Sequence, residues 1–285
     1  MSLIIPPSQT LADTGYSIDN SCRFDRASSP SLVSSAFTFA DANTLSFWVK
    51  RGHLATGSTY VYQGDSMYFV ILSTDLIEWA REGGDTTTTR VFRDTSAWYH
   101  FHLKATVSAT QFYVNGVLDS TITNSASYSS TAFTIGATTG LANFFGGYMA
   151  EFHCVNGSSL DPDSFGEIGD YGEWKPKRYG GSHGTGGFHL DFKASGNLGN
   201  DAAGGTDLTE NNLAASDQML DTPTNNFCTA NSLDRAGGSY VFKEGNLHVT
   251  RTGGDGFIGG TMGVSSGKWY FELLMESSVS NYPRV

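Results

Sequence analysis

From Trp98 to Val107 the chain alternates without a break. Tyr99, Phe101, Leu103, Ala105 and Val107 fall on one side, and Trp98, His100, His102, Lys104 and Thr106 on the other. A period of two is the signature of a strand with one buried face, and a helix would scatter the same residues around its circumference. Phe112 to Val114 and Val117-Leu118 follow on either side of Asn115-Gly116. A two-residue Asn-Gly loop closes a hairpin because a type I′ turn needs positive φ at both central positions. A half-buried strand followed by a tight hairpin commits this region to an antiparallel sheet.

Similar signals recur on both sides. Leu45, Phe47 and Val49 alternate with Ser46, Trp48 and Lys50, and short apolar runs follow at 60–62, 67–72, 76–80, 90–92, 133–135 and 148–155. About ten strands at this spacing predict a sandwich of two antiparallel sheets. Charged residues are only 16% of the chain, aromatics are 13%, and there are 34 glycines. That mixture suits turns and pleated surfaces and disfavours helices. Short turns near 164–168 and 213–220 are the only helix candidates. The fold class expected is all-β: an antiparallel two-sheet jelly-roll sandwich, an irregular linker, and a partial second β-sandwich. The divisions expected are an N-terminal arm at 1–20, the jelly roll at 21–192, a Gly/Asn/Thr-rich linker at 193–237 and a last β segment at 238–285.

With 17 basic and 28 acidic residues the net charge is -11. The densest basic stretch is Lys175, Lys177 and Arg178, so the clustered cations that displace counterions from nucleic acid are missing. No apolar run approaches the ~20 residues of a membrane-spanning helix. Cys22, Cys154 and Cys228 are widely spaced and form no CxxC pair, so buried thiols are expected. Leu3-Ile4-Ile5 is too short for a secretory leader and is stopped by Pro6-Pro7, which suggests synthesis in a cytoplasm.

The motifs V-F-R-D-T-S-A-W-Y-H (Val91 to His100), F-Y-V-N-G-V (Phe112 to Val117), G-G-Y-M-A-E-F-H (Gly146 to His153), L-D-P-D-S-F-G-E (Leu160 to Glu167), G-E-W-K-P-K (Gly172 to Lys177) and G-F-H-L-D-F (Gly187 to Phe192) occur in that order. In this wording the chain resembles the laminin-G-like, concanavalin-A-like jelly-roll domains of bacteriophage tail-fibre and head-fibre proteins. G-N-L-H-V-T-R-T-G-G, with G-K-W-Y-F-E-L-L-M-E (Gly267 to Glu276), looks like the opening of a SPRY domain, and the protein is expected to continue beyond Val285. The resemblance implies a virion structural protein: a fibre, appendage or decoration made in the host cytoplasm. Its implied partners are other virion proteins of the capsid, neck or tail, further copies of itself in a trimer, and host-surface glycans. A soluble carbohydrate-binding module and a glycan hydrolase are the alternatives.

No catalytic constellation stands out. Glu167, Asp170 and Glu173 are spaced by three, whereas a strand needs alternate positions to place carboxylates on one face. They read as solvated loop residues. His100 and His102 share a strand face but lack an identifiable third ligand, with His153 the nearest thought, and read as outward-facing polar residues. Loop oxygens at Asp65, Asp85, Asn115 and Asn143 form no contiguous calcium loop, so no cofactor is assigned and calcium is left open on the family resemblance alone. G-G-S-H-G-T-G-G (Gly180 to Gly187) lacks the Lys-Ser/Thr ending of a phosphate loop and reads as a flexible turn. Trp79, Tyr62 and Trp174, with Trp98 and Tyr128 behind them, are the candidate platforms for sugar stacking.

Overall fold

The computed structural model describes residues 15–52, 54, 57–81, 83–123, 128 and 130–276. In chain order the strands are β1 (Ser21–Phe24), β2 (Ser31–Val33), β3 (Asn43–Arg51), β4 (Thr59–Gly64), β5 (Met67–Ile71), β6 (Ile77–Arg81) and β7 (Gly84–Thr87). They continue with β8 (Trp98–Ala105), β9 (Ala109–Val114), β10 (Val117–Thr123), β11 (Thr134–Ile135), β12 (Gly147–Asn156), β13 (Gly166–Ile168) and β14 (Trp174–Pro176). The last are β15 (Phe188–Leu190), β16 (Thr209–Asn211), β17 (Gln218–Met219), β18 (Ala230–Lys243) and β19 (His248–Gly260). Helix among the described residues is limited to short 3₁₀ turns, two of them at Pro162–Ser164 and Ala215–Asp217.

Two antiparallel sheets face each other. One runs β10-β9-β8-β3-β12-β1-β17, with β15 also paired to β12, and the other runs β16-β2-β11-β4-β5-β6-β7. The expected hairpin is the β9–β10 turn, where Asn115 has φ 48° and Gly116 φ 77°, as a type I′ turn requires. Between the sheets lies a core rich in phenylalanine. Phe47 stacks on Phe152 at 4.8 Å and meets Phe69 edge-on at 5.5 Å, and Phe101, Phe112 and Phe133 extend the cluster. Such offset and edge-on contacts add to plain area burial. Cys22, Cys154 and Cys228 are all buried and none forms a disulfide.

The residues expected to form a linker are part of this architecture. β16 and β17 each add an edge strand to one sheet, and Leu198 and Leu208 are buried in the main core. The arm behaves similarly where it is described: Ile18 is buried in a second cluster with Trp48, Trp98, Tyr148 and Ala150, while residues 1–14 lie outside the described residues. That second cluster lies on the outer face of the β8–β3–β12 sheet, so both faces of this sheet are covered. The cover explains why β3 and β12 are buried along almost their whole length.

β18 and β19 form a separate long hairpin. It is tied back where the Tyr148 hydroxyl donates to the Gly245 carbonyl at 2.7 Å and Arg23 pairs with Glu244 at 2.7 Å. Beyond it Trp269, Tyr270, Leu273 and Leu274 are exposed.

Candidate functional site

Three imidazoles and a carboxylate converge where β12 changes partners. Along one edge β12 pairs first with β1, through Gly147 to Met149, and then with β15, through Phe152 to Cys154. Between the two, the register against β3 jumps from Ala150↔Trp48 to His153↔Ser46. Two residues of β12 therefore face one of β3, which is a β-bulge. Glu151 is the extra residue and sits at φ 47°, a conformation that a non-glycine residue adopts only when its surroundings enforce it. Without the bulge, strict alternation from Met149 would aim Glu151 into the phenylalanine core. With it, Glu151 lies on the outer face beside His153.

Glu151 Oε2 accepts from His153 Nε2 at 3.2 Å and from His189 Nε2 at 2.8 Å. Burial alone would raise the Glu151 pKa, but these two hydrogen bonds outweigh it and hold the carboxyl well below the usual carboxylate range. An ionised carboxylate only accepts, so each ring presents a protonated Nε2. Burial pushes the His153 pKa down to about 4 and that of His183 down to about 4, so both rings are neutral at pH 7. A neutral His153 protonated at Nε2 has a free lone pair on Nδ1, and His183 Nε2 stands 3.0 Å from it and donates. The rings of His153, His183 and His189 are near-parallel, with centroids 4.0, 5.4 and 5.6 Å apart. Their ligand atoms all lie within 4.8 Å of one another.

Each imidazole is placed by a different device. His189 faces His153 across the β12–β15 pair, and its backbone N–H donates to Asp201 Oδ1 at 2.8 Å. His183 comes from the glycine-rich loop, which is ordered by the end of β12. The His183 carbonyl accepts from Asn156 N at 2.8 Å, and Asn156 Nδ2 donates to Thr185 O at 2.7 Å. The glycines there are required by contact: a Cβ on Gly184 would lie 1.8 Å from the Asn156 carbonyl, and one on Gly187 would lie 1.9 Å from that of His183. The loop expected to be a flexible turn is a close-packed mount for His183.

Glu151, His183 and His189 form one wall of a cavity of about 510 Å³, whose other walls include Tyr16, Arg178, Tyr179, Asp191 and Asp201. The Arg178 guanidinium lies 5.0 Å from the Tyr16 ring centre. Burial, then the Glu151 charge and a hydrogen bond to it, push the Tyr16 pKa up.

The residues singled out from sequence lie elsewhere. Tyr62 and Trp79 are wholly buried in the core, so neither ring face is open to a sugar; alternation put them on the inner side of their sheet. Trp98 and Tyr128 are also buried. Trp174 is half-buried, stacks on His100 at 5.9 Å and donates from Nε1 to His100 Nδ1 at 3.0 Å, so its ring packs on the sheet. His100 and His102 do not face water. Both are fully buried, His102 bonding the Leu160 carbonyl at 3.0 Å and His100 bonding Ser46 Oγ at 2.8 Å. Glu167, Asp170 and Glu173 lie on and around the β13–β14 hairpin, where Glu167 pairs with Lys175 at 3.7 Å and Tyr171 N donates to Glu173. Asp65 and Asp85 take part in no three-ligand grouping of His, Cys, Asp or Glu among the described residues. Sequence reading missed His183, His189 and Glu151. The signal was E-F-H ahead of H-L-D, two strands pairing histidine with a carboxylate, but their antiparallel pairing is a tertiary fact.

The fold is an antiparallel two-sheet sandwich of the jelly-roll kind. Residues 24–163 match the laminin-G family model described as Concanavalin A-like lectin/glucanases superfamily. No curated protein matches the sequence. Among solved structures, the chain is similar to a native heptameric SAP-like pentraxin from Limulus polyphemus, at 14% identity over 50% of this chain and 78% of that one, with TM-score 0.41. It is also similar to a candidate carbohydrate-binding protein from Bacteroides ovatus, at 17% identity over 69% of this chain and 59% of that one, with TM-score 0.46. A third likeness is to the receptor binding domain of botulinum neurotoxin D, at 12% identity over 45% of this chain and 36% of that one, with TM-score 0.36. The chain thus spans less than two thirds of the last two.

Proposed function

We propose that this chain is a non-catalytic recognition domain that binds glycan in the cavity beside Glu151 and is carried on a phage virion as an appendage or decoration. The cavity is the observation that carries the reading. At about 510 Å³ it has room for a small saccharide. Tyr16 and Tyr179 offer aromatic surface to the apolar face of a sugar, and Arg178, Asp191 and Asp201 offer polar partners to its hydroxyls. The match to a lectin and glucanase superfamily supports the same reading. Glu151 is held ionised by two histidines, so it does not serve as the proton-donating carboxyl of a glycosidase.

A glycan-array screen followed by calorimetric titration tests this. Tyr179→Ala and Arg178→Ala should abolish binding, and Tyr171→Ala, which alters an exposed side chain on the β13–β14 hairpin, should leave it intact. Absence of glycan binding, or binding untouched by the first two changes, refutes the reading. The motif order from Val91 to Phe192 supports the virion placement, with other virion proteins as partners and self-association into a trimer. Gold-labelled antibody on intact particles should mark one fixed position; label found only in the lysate of infected cells would sink that placement.

A further inference from the structure

We propose that His153, His183 and His189 form a binding site for a divalent transition metal ion of the zinc class, with Glu151 as the carboxylate that orients two of the rings. Three imidazoles are stacked with ligand atoms within 4.8 Å of one another, and two of them, His183 and His189, line an open cavity. His153 Nδ1 and His183 Nε2 are 3.0 Å apart, close to the ~3.3 Å edge of a tetrahedron built on zinc–nitrogen bonds of about 2.0 Å. The space between them holds one proton or one cation. When the cation enters, the His183 proton moves to its Nδ1 and no net charge leaves.

The supporting shell matches what such sites use. A metal-bound histidine donates its other N–H to a carboxylate, which fixes the ring and raises its basicity. Glu151 accepts from two of the three rings. Nitrogen donors select zinc-class ions over calcium, which takes oxygen ligands. His183 and His189 lie outside the segment 24–163 that matches the family model, so two of the three ligands come from beyond the matched segment. It is also independent of the glycan reading, since metal uptake and sugar binding are measured separately.

The test uses the full chain, stripped with chelator and titrated with cobalt(II) while the visible absorption is followed, and with zinc(II) against a chromophoric chelator. One ion per chain with a tetrahedral cobalt spectrum is expected. His183→Ala and His189→Asn should remove it, with the fold intact by circular dichroism. Glu151→Gln should weaken zinc binding about 10- to 100-fold, and His248→Ala, on the distant hairpin, should change nothing. No uptake by the wild-type chain, or uptake that survives both the His183 and His189 changes, overturns the proposal. Two variants are used because His183 lies on a loop and His189 on a strand, so a folding defect in one leaves the other decisive.

Discussion

Replacing Asp221 with alanine should unfold the sandwich far more readily than a change in a surface loop would. Asp221 comes from the segment that composition marks as a linker, yet it is 3% exposed. Its Oδ2 accepts from Lys50 Nζ at 2.7 Å, and its Oδ1 accepts from Trp98 Nε1 at 3.0 Å and Phe227 N at 3.3 Å. Lys50 is wholly buried in the middle of the sheet, and its other two donors go to Asn226 Oδ1 and the Phe227 carbonyl, both at 2.7 Å. Burial pulls the Lys50 pKa down and Asp221 opposes that pull. Removing the carboxylate leaves an ammonium in the protein interior with no counter-charge. Breaking a buried pair from one side costs about 3–5 kcal/mol. At about 2–4 °C per kcal/mol for a chain of this size, the midpoint of thermal unfolding should fall by about 6–20 °C. Urea denaturation followed by tryptophan fluorescence gives the free energy directly, and Trp98 reports on the site itself. Lys50→Met with Asp221→Leu should recover most of the loss, because an apolar pair of similar volume needs no desolvated charge. A loss below about 1 kcal/mol, the worth of an exposed pair, would refute the docking of 217–229 on the sheet.

Acid should destabilise the fold through its buried histidines. Burial pushes the His102 pKa down to about 4, so between about pH 6.5 and 4 the unfolded chain binds the proton and the native chain does not. Stability should therefore fall as pH drops through that window, by about 3 kcal/mol for His102 alone, and His102→Gln should flatten part of the slope; a flat profile between pH 7 and 4 would contradict the buried placement. Burial raises the Cys22 and Cys154 pKa values, so a thiol reagent should leave both untouched in the native protein and label all three cysteines in denaturant. Fast native labelling of either would be incompatible with the core described. Gly184→Ala places a Cβ against the Asn156 carbonyl at φ 72° and should cost about 1–3 kcal/mol. It should also abolish cobalt uptake by displacing His183 while circular dichroism stays unchanged; normal uptake would show that the loop has room.

Much of the fold was legible because its determinants are local. The alternation of β8 and the Asn115-Gly116 turn each need only neighbouring residues, and the structure places a strand and a type I′ hairpin there. The sugar-stacking candidates failed for a related reason: aromatic content marks Tyr62 and Trp79 as large and apolar, and such rings in a strand are drawn inward by the hydrophobic effect. His100 and His102 could be weighed as a metal pair, and read as outward-facing polar residues, because two histidines on one strand face are visible in sequence, whereas the Glu151 group is assembled from a bulge, a loop and a strand.

The sequence by itself determined the period of the strands, the antiparallel pairing around the tight turn, the scarcity of helix among the described residues and the burial of the thiols. Where a strand is regular, as in β8, it determined which side each residue takes, because side chains in a strand alternate by geometry; the bulge at Glu151 breaks that alternation. The sequence did not determine what each side meets. The outer face of β8, β3 and β12 carries polar residues and is buried in fact, because Leu160, Trp174, Asp221 and Gly245 reach back over it and bond His102 Nε2, His100, Lys50 and Tyr148 one by one. A low-complexity stretch rich in Gly, Asn and Thr carries little apolar signal. Yet it supplies hydrogen-bond partners that make a polar face buriable, and only the folded chain shows which donor finds which acceptor. The same holds for the proposed metal-ligand group: the bulge at Glu151 and the pairing of β12 with β15 exist only once β3, β12 and β15 have come together in one sheet.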